Sequence, residues 1–182
     1  MRINYLHQYF NTPKMPGSTR SYEMARRLVE MGHEVNMITS WREPDSRKTG
    51  FITDESGIKV HWLPVPYSNH MIYRDRIVSF FKFAWAASKK GASLPADVVF
   101  ATSTPLTIIF PGFYASRRQK VPLVFEVRDL WPELPIAMGA LRNPVICFLA
   151  KLLERFAYQS SSEIVALSPG MAKGIISTGF PQ

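Results

Sequence analysis

Hydrophobic residues recur along the chain in two alternating patterns. Short runs of mostly apolar, β-branched or aromatic residues predict strands that are buried on both faces, as in a parallel sheet. They lie at residues 2–6, 33–39, 58–63, 96–102, 121–127 and 163–167. Longer stretches that place apolar residues on one helical face predict helices. They lie at residues 18–31, 73–90, 105–119, 143–160 and 169–177.

The alternation of strands with helices predicts the fold class. Parallel strands need crossover connections, usually helices, so the pattern indicates an α/β protein with a doubly wound, Rossmann-like parallel sheet and helices on both faces. The polar stretch 41–55 is predicted to be a loop, and Pro111 is predicted to kink its helix. The 182 residues show no linker or internal repeat, so one domain is expected to span residues 1–182.

The first loop and helix carry the first candidate site residues. In open α/β sheets, ligands bind outside the carboxyl ends of the strands, and His7 closes the first strand. Gly17, Ser18 and Thr19 precede a helix, where free backbone N–H groups favour an anion and glycine permits close approach. Arg20 falls in the first turn, where a cation is unfavourable by about 0.3–1 kcal/mol. The alternative is structural: a turn glycine, a capping hydroxyl and a solvent-exposed arginine.

The fourth and fifth strands end on further candidates. Ser103 and Thr104 could bind a phosphate or a sugar, or could cap the next helix. Arg128 and Asp129 follow the apolar run 121–127; Asp129 could accept a proton, orient a hydroxyl or bind a cation, or could cap a helix beside Arg128. Glu133 could reach the same cleft or stabilise a helical turn.

Composition narrows the classes of function. Residues are 46% hydrophobic and 20% charged, which is typical of a globular protein. The net charge of +8 favours partners that carry phosphate: a nucleotide, a nucleic acid or an anionic membrane. Basic residues are scattered and aromatic residues follow core periodicity, so no nucleic-acid partner is expected. The single cysteine fits a reducing cytoplasm. The histidines and cysteine lack metal-ligand spacing, so no metal is expected. The sequence has neither a G-x-G-x-x-G motif nor a Walker loop, so no cofactor is expected either.

Two predicted helices are candidates for contact with a membrane surface. Residues 73–90 and 144–158 combine apolar and aromatic side chains with lysine and arginine. Basic amphipathic helices of this kind can lie in a lipid interface, although packing on the sheet is the alternative. The longest apolar stretches, residues 77–87 and 145–153, are each too short to span a bilayer, so a peripheral protein is expected.

The order of several motifs resembles one enzyme family. PGSTRSYEMARRLVEMGHEVNMIT, ADVVFATSTPL, VPLVFEVRDLWPE and SSEIVALSPGMAKGI resemble the corresponding segments of family-four glycosyltransferases, which have the GT-B architecture. The RDLWP version is most similar to the WbuB-like amino-sugar transferases that build O-antigen and capsule repeats. The resemblance extends over essentially all 182 residues.

This resemblance implies an N-terminal, acceptor-side domain whose C-terminal donor-binding domain is absent from the chain. It implies retention of anomeric configuration, a nucleotide-sugar donor held mostly by the missing domain, and a lipid-linked acceptor at the inner membrane surface. Gly17 would approach the donor phosphates and Asp129 would lie beside the reacting sugar. Many relatives have a histidine at the position of Arg128, and arginine cannot act as a base. The alternative function is a non-catalytic membrane-binding subunit that recruits a separate donor-binding chain.

Overall fold

The computed structural model of the chain describes residues 1–42, 49–68, 71–133, 136 and 142–180. The strands in these ranges are β1 (Arg2–Leu6), β2 (Glu34–Ser40), β3 (Phe51–Glu55), β4 (Ile58–Leu63), β5 (Val98–Thr102), β6 (Leu123–Val127) and β7 (Glu163–Ala166). The helices are α1 (Arg20–Glu30), α2 (Tyr73–Ser93), α3 (Ile109–Gln119), α4 (Pro144–Ser160) and α5 (Pro169–Ser177). In the ranges described, none of these helices combines the length and apolarity that crossing a membrane requires.

The strands form one sheet in the order β3-β4-β2-β1-β5-β6-β7. All neighbours are parallel except β3, which runs antiparallel to β4. The chain winds outward from β1 through β2 to β4 and then returns to place β5 beside β1. The strand order therefore reverses between β1 and β5, and a ligand crevice is expected outside their carboxyl ends.

Helices cover both faces of this sheet, which confirms the predicted doubly wound α/β fold. Tyr5 and Met37 contribute to a core under α1, which supplies Tyr22 and Ala25. The alternate strand residues, such as Leu6 and Ile38, contribute to the core on the other face with Phe83 and Ile109. Successive side chains of a strand point to opposite faces, so each central strand serves both cores.

Residues 41–55 correct one prediction from the sequence. The stretch was predicted to be a loop throughout, but Phe51–Glu55 forms the edge strand β3; residues 43–48 lie outside the described ranges. A two-residue turn, Ser56–Gly57, has positive φ at both positions and joins β3 to β4 as a hairpin. Phe51 stacks on Trp62 with ring centroids 6.0 Å apart. The apolar residues Phe51 and Ile52 are adjacent and the rest of the strand is polar, so the apolar positions do not alternate and the strand could not be identified in advance.

Pro111 corrects a second prediction. A kink inside one continuous helix was expected, but the segment begins with a 3₁₀ turn at Leu106–Ile108, and α3 starts at Ile109. Pro111 consequently lies in the first turn of α3, where backbone N–H groups have no partner within the helix. The missing N–H removes no hydrogen bond of the α-helix.

Candidate functional site

A cavity of about 340 Å³ lies at the carboxyl ends of the central strands. It is bounded by side chains that follow β1, β2, β5, β6 and β7. These are His7, Tyr9, Asn11, Ser18, Arg42, Thr104, Arg128, Asp129 and Leu167. The cavity lies at the reversal of strand order, where the topology places a ligand site.

His7 is the most buried polar group in the wall, with an exposed fraction of 3%. Arg128 Nη1 lies 3.3 Å from His7 Nε2 and donates a hydrogen bond to it. That assignment places the imidazole proton on Nδ1. Burial, followed by the charges of Arg128 and Arg42, lowers the pKa of His7 to about 3. His7 is therefore neutral at pH 7 and cannot act there as an imidazolium acid.

Hydrogen bonds between the ends of β5 and β6 position Arg128 and Asp129. The backbone N–H of Arg128 donates to Ser103 Oγ at 3.0 Å. The Thr104 hydroxyl donates to Asp129 Oδ2 at 3.3 Å. In the described part of the chain Asp129 makes no ion pair with Arg128, and its side chain is exposed at the cavity. The geometry leaves this carboxylate free to accept a proton or a hydrogen bond from a ligand hydroxyl.

Gly17 has a structural reason for its identity. Its φ of +121° is unfavourable for other residues, and a Cβ there would lie 2.6 Å from Asn11 Nδ2. The same Nδ2 donates to the carbonyl oxygen of Ser18 at 3.3 Å, while Asn11 Oδ1 accepts a hydrogen bond from Arg42. Gly17 thus lets the loop close onto Asn11, which brings Ser18 to the cavity wall.

Arg20 reaches a partner that the sequence analysis did not identify. Its guanidinium lies 2.5 Å from Glu126 Oε1, and Glu126 is fully buried in β6. The Thr102 hydroxyl donates to the other carboxylate oxygen at 2.9 Å, because Thr102 and Glu126 are opposite each other in the sheet. The unfavourable cation in the first turn of α1 is thereby explained by a buried carboxylate.

The structure brings five of the predicted site residues to one cavity. These are His7, Ser18, Thr104, Arg128 and Asp129. Gly17 and Ser103 do not line the cavity but contact residues that do: Gly17 lies against Asn11, and Ser103 accepts a hydrogen bond from Arg128. Thr19, Arg20 and Glu133 do not line it. Thr19 occupies the N-cap position of α1 without a capping hydrogen bond from its side chain.

Tyr9, Asn11 and Arg42 line the cavity and were missed by the sequence analysis. Arg42 had a usable signal, since it comes two residues after β2, at the same edge of the sheet as His7. Among the described residues no group of three His, Cys, Asp or Glu side chains is arranged to hold a metal ion.

The fold and this edge site define a class of protein: doubly wound α/β proteins with a ligand crevice at a strand-order reversal. The sequence profile of the Glycosyl transferase 4-like domain family matches residues 17–182, and the chain belongs to this family. Among curated proteins, none matches the chain in sequence.

Two solved structures share the fold. Sucrose-phosphate synthase from Thermosynechococcus elongatus superposes with a TM-score of 0.68 at 10% identity, covering 97% of this chain and 44% of that one. Anabaena HepE, solved in complex with UDP and glucose, superposes with a TM-score of 0.50 at 16% identity, covering 100% of this chain and 42% of that one. The chain therefore spans less than half the length of these structures and has the fold of one half of a GT-B enzyme.

Proposed function

We propose that this chain is the acceptor-side half of a retaining glycosyltransferase. The complete enzyme would move a sugar from a nucleotide-sugar donor to a lipid-linked glycan in surface polysaccharide synthesis, as in the WbuB-like amino-sugar transferases of O-antigen and capsule assembly. The observation that carries the proposal is the cavity at the β1–β5 reversal, where Arg128 and Asp129 meet His7 and Thr104. Membership of the glycosyltransferase family supports the reaction class.

The cavity residues have distinct roles in this proposal. Asp129 accepts a hydrogen bond from the acceptor hydroxyl, orients it toward the donor sugar and takes up its proton as the new glycosidic bond forms and the bond to the donor phosphate breaks. Arg128 stays protonated and supplies positive charge to the donor, so it stabilises developing negative charge and does not act as a base. Gly17 allows the first loop to approach the donor phosphates. A second domain, of the kind that completes GT-B enzymes, supplies most of the donor contacts, so residues 1–182 alone are expected to be inactive.

A transfer assay on the intact protein and on residues 1–182 tests this proposal. Each is incubated with radiolabelled UDP-sugars, including N-acetylated amino sugars, and with a short isoprenyl-pyrophosphate-linked sugar as acceptor. We expect transfer only with the intact protein, with the anomeric configuration of the donor retained. An intact protein that transfers no sugar from any donor but still binds the acceptor would contradict the enzyme and favour a membrane-binding recruitment subunit.

An exposed aromatic face supports contact with the inner membrane surface. It is formed by Phe81 and Trp85 of α2, Phe110 and Tyr114 of α3, and Phe148, Leu149 and Leu152 of α4. Trp85 is 67% exposed and Phe148 is 62% exposed. Phe110 lies 6.5 Å from Phe81 and 6.4 Å from Phe156, so the three helices share one continuous surface.

Cations border this aromatic face. Lys89 Nζ lies 4.6 Å from the centre of the Trp85 ring, and Lys82, Lys151 and Arg155 are exposed on α2 and α4. Apolar rings with lysine and arginine at their edges suit the headgroup region of an anionic bilayer, where each cation near the surface contributes about 1 kcal/mol. We therefore propose that the aromatic face carries the peripheral membrane contact.

Vesicle flotation tests the membrane contact. We expect binding to vesicles that contain phosphatidylglycerol, weak binding to phosphatidylcholine alone, and loss of binding in a Phe148→Ser, Leu149→Ser double variant. Ile52→Ser is the matched control, since Ile52 is 60% exposed on the edge strand β3. Equal flotation of the double variant and the control would contradict the assignment of this face.

A further inference from the structure

Two arginines reach the same cavity without a carboxylate partner. Arg42 Nη2 lies 3.5 Å from the carbonyl oxygen of Phe10 and also donates to Asn11 Oδ1. Arg128 donates to the neutral ring nitrogen of His7. Every one of these acceptors is uncharged. Among the ion pairs of the described residues, neither guanidinium takes part.

The positive charges of Arg42 and Arg128 both act on the imidazole of His7. Arg128 contacts His7 directly, and the charge of Arg42 further lowers the pKa of the same imidazole. Arg42 is itself half-buried, and burial lowers its pKa. Asp129 is the one carboxylate in the lining, and it accepts its hydrogen bond from Thr104. Two cations against one carboxylate leave the cavity positive, which is unfavourable in the free protein and favourable once an anion binds.

The donor groups in the cavity are of the kind that binds a phosphate. A guanidinium presents several N–H donors in a planar fork that pairs with phosphate oxygens in a bidentate manner. Arg42 uses Nη2 and Arg128 uses Nη1 for the protein contacts, so other N–H groups of each remain for a ligand. The hydroxyls of Ser18 and Thr104 border the same space.

We propose that Arg42 and Arg128 together form a phosphate-binding subsite, so that the substrate held in this cavity carries a phosphate or pyrophosphate between them. The inference rests on the proposed function only in taking this cavity as the substrate site. The phosphate has two possible sources: the nucleotide of the donor and the pyrophosphate of a lipid-linked acceptor. The subsite is the same for both, and the choice of probe separates them.

Isothermal titration calorimetry on the protein tests the subsite. The probes are inorganic pyrophosphate, uridine diphosphate and geranyl pyrophosphate. We expect Arg42→Gln and Arg128→Gln each to weaken pyrophosphate binding about tenfold or more, because each removes a charge-assisted pair. Arg117→Gln is the matched control, since Arg42 lies over the Tyr9 ring at 6.0 Å and Arg117 lies over the Phe113 ring at 5.2 Å, but outside the cavity. Circular dichroism confirms that each variant is folded.

The outcomes separate the subsite from the enzyme activity. If both variants lose affinity for uridine diphosphate, the phosphate belongs to the donor; if they lose affinity for geranyl pyrophosphate, it belongs to the acceptor. Loss of binding without any detectable glycosyl transfer would support the subsite and contradict the transferase. Unchanged pyrophosphate affinity in both variants, or transfer with unchanged KM in both, would overturn the subsite and leave the transferase standing.

Discussion

Two groups of charged residues lie near each other at the carboxyl end of the sheet, and they differ in whether the charges are satisfied. Arg20 pairs with buried Glu126, and Thr102 completes that contact. Arg42 and Arg128 flank neutral His7 and face a cavity. A charge that breaks a local rule is therefore structural when the fold supplies its partner. Such a charge indicates a ligand site when the fold supplies no side chain of opposite charge.

The largest expected effect concerns Asp129, the carboxylate on the cavity side of this comparison. Asp129→Asn in the intact enzyme is expected to lower kcat about 100-fold or more, because the amide cannot accept a proton from the acceptor hydroxyl. The urea midpoint should stay close to that of the wild type, since the side chain is exposed. Asp75→Asn, exposed on α2, serves as control. Normal turnover in the Asp129 variant would remove this residue from the site.

The next effect is on stability and concerns the satisfied pair. Arg20→Gln leaves the Glu126 carboxylate buried without its cation and is expected to cost about 2–3 kcal/mol, less than a fully buried pair because Arg20 is 44% exposed. Urea unfolding gives the value. Arg26→Gln on the same helix breaks two exposed pairs, with Glu23 and Glu30, and should cost less than about 1 kcal/mol. Equal losses in the two variants would contradict the structural role of Arg20.

The smallest effect concerns His7 and appears as a pH dependence. The folded protein holds the pKa of His7 at about 3, below its ordinary value of 6.5, so only the unfolded chain takes up this proton between those pH values. Stability should therefore fall as pH falls through this window, by up to about 1.4 kcal/mol per pH unit from this group. His7→Gln should reduce that slope in urea unfolding at pH 7 and pH 5.

His61 provides a background for the same experiment. Burial, followed by Lys90 and Lys59, lowers its pKa to about 4, so it adds a slope of the same sign. His61 is present in both proteins, and its contribution is removed by subtraction. An unchanged slope in the His7 variant would show that His7 does not stay neutral in the folded state.

Much of the fold could be predicted from local patterns. The parallel strands have apolar cores such as Val98–Thr102, and their crossover helices have one apolar face, so fold class followed from periodicity. The end of α1 also depends on a local signal, because a glycine commonly follows the last turn of a helix. Gly32 has a φ of +85°, and its N–H donates a hydrogen bond to the carbonyl oxygen of Val29. The edge strand β3 could not be predicted from a local pattern, because it is held in the sheet by its contact with Trp62 of β4 and by the hairpin turn.

Most of the site residues that could be predicted are those that directly follow a predicted strand. His7, Thr104, Arg128 and Asp129 were identified because each follows an apolar strand. Glu126 was missed because a carboxylate inside a buried strand is explained only by Arg20, 106 residues away in sequence. Arg42 also follows an apolar strand, but it falls in the stretch 41–55 that was predicted to be a loop, and only the strand order, with β2 beside β1, places it at the cavity.

A crystal structure of the intact protein with a nucleotide sugar and an unreactive acceptor analogue would show whether this cavity holds the reacting groups. We expect the reacting sugar to lie in the cavity beside Asp129, with a phosphate that contacts both Arg42 and Arg128. Both ligands bound elsewhere, with this cavity filled only by water, would contradict it.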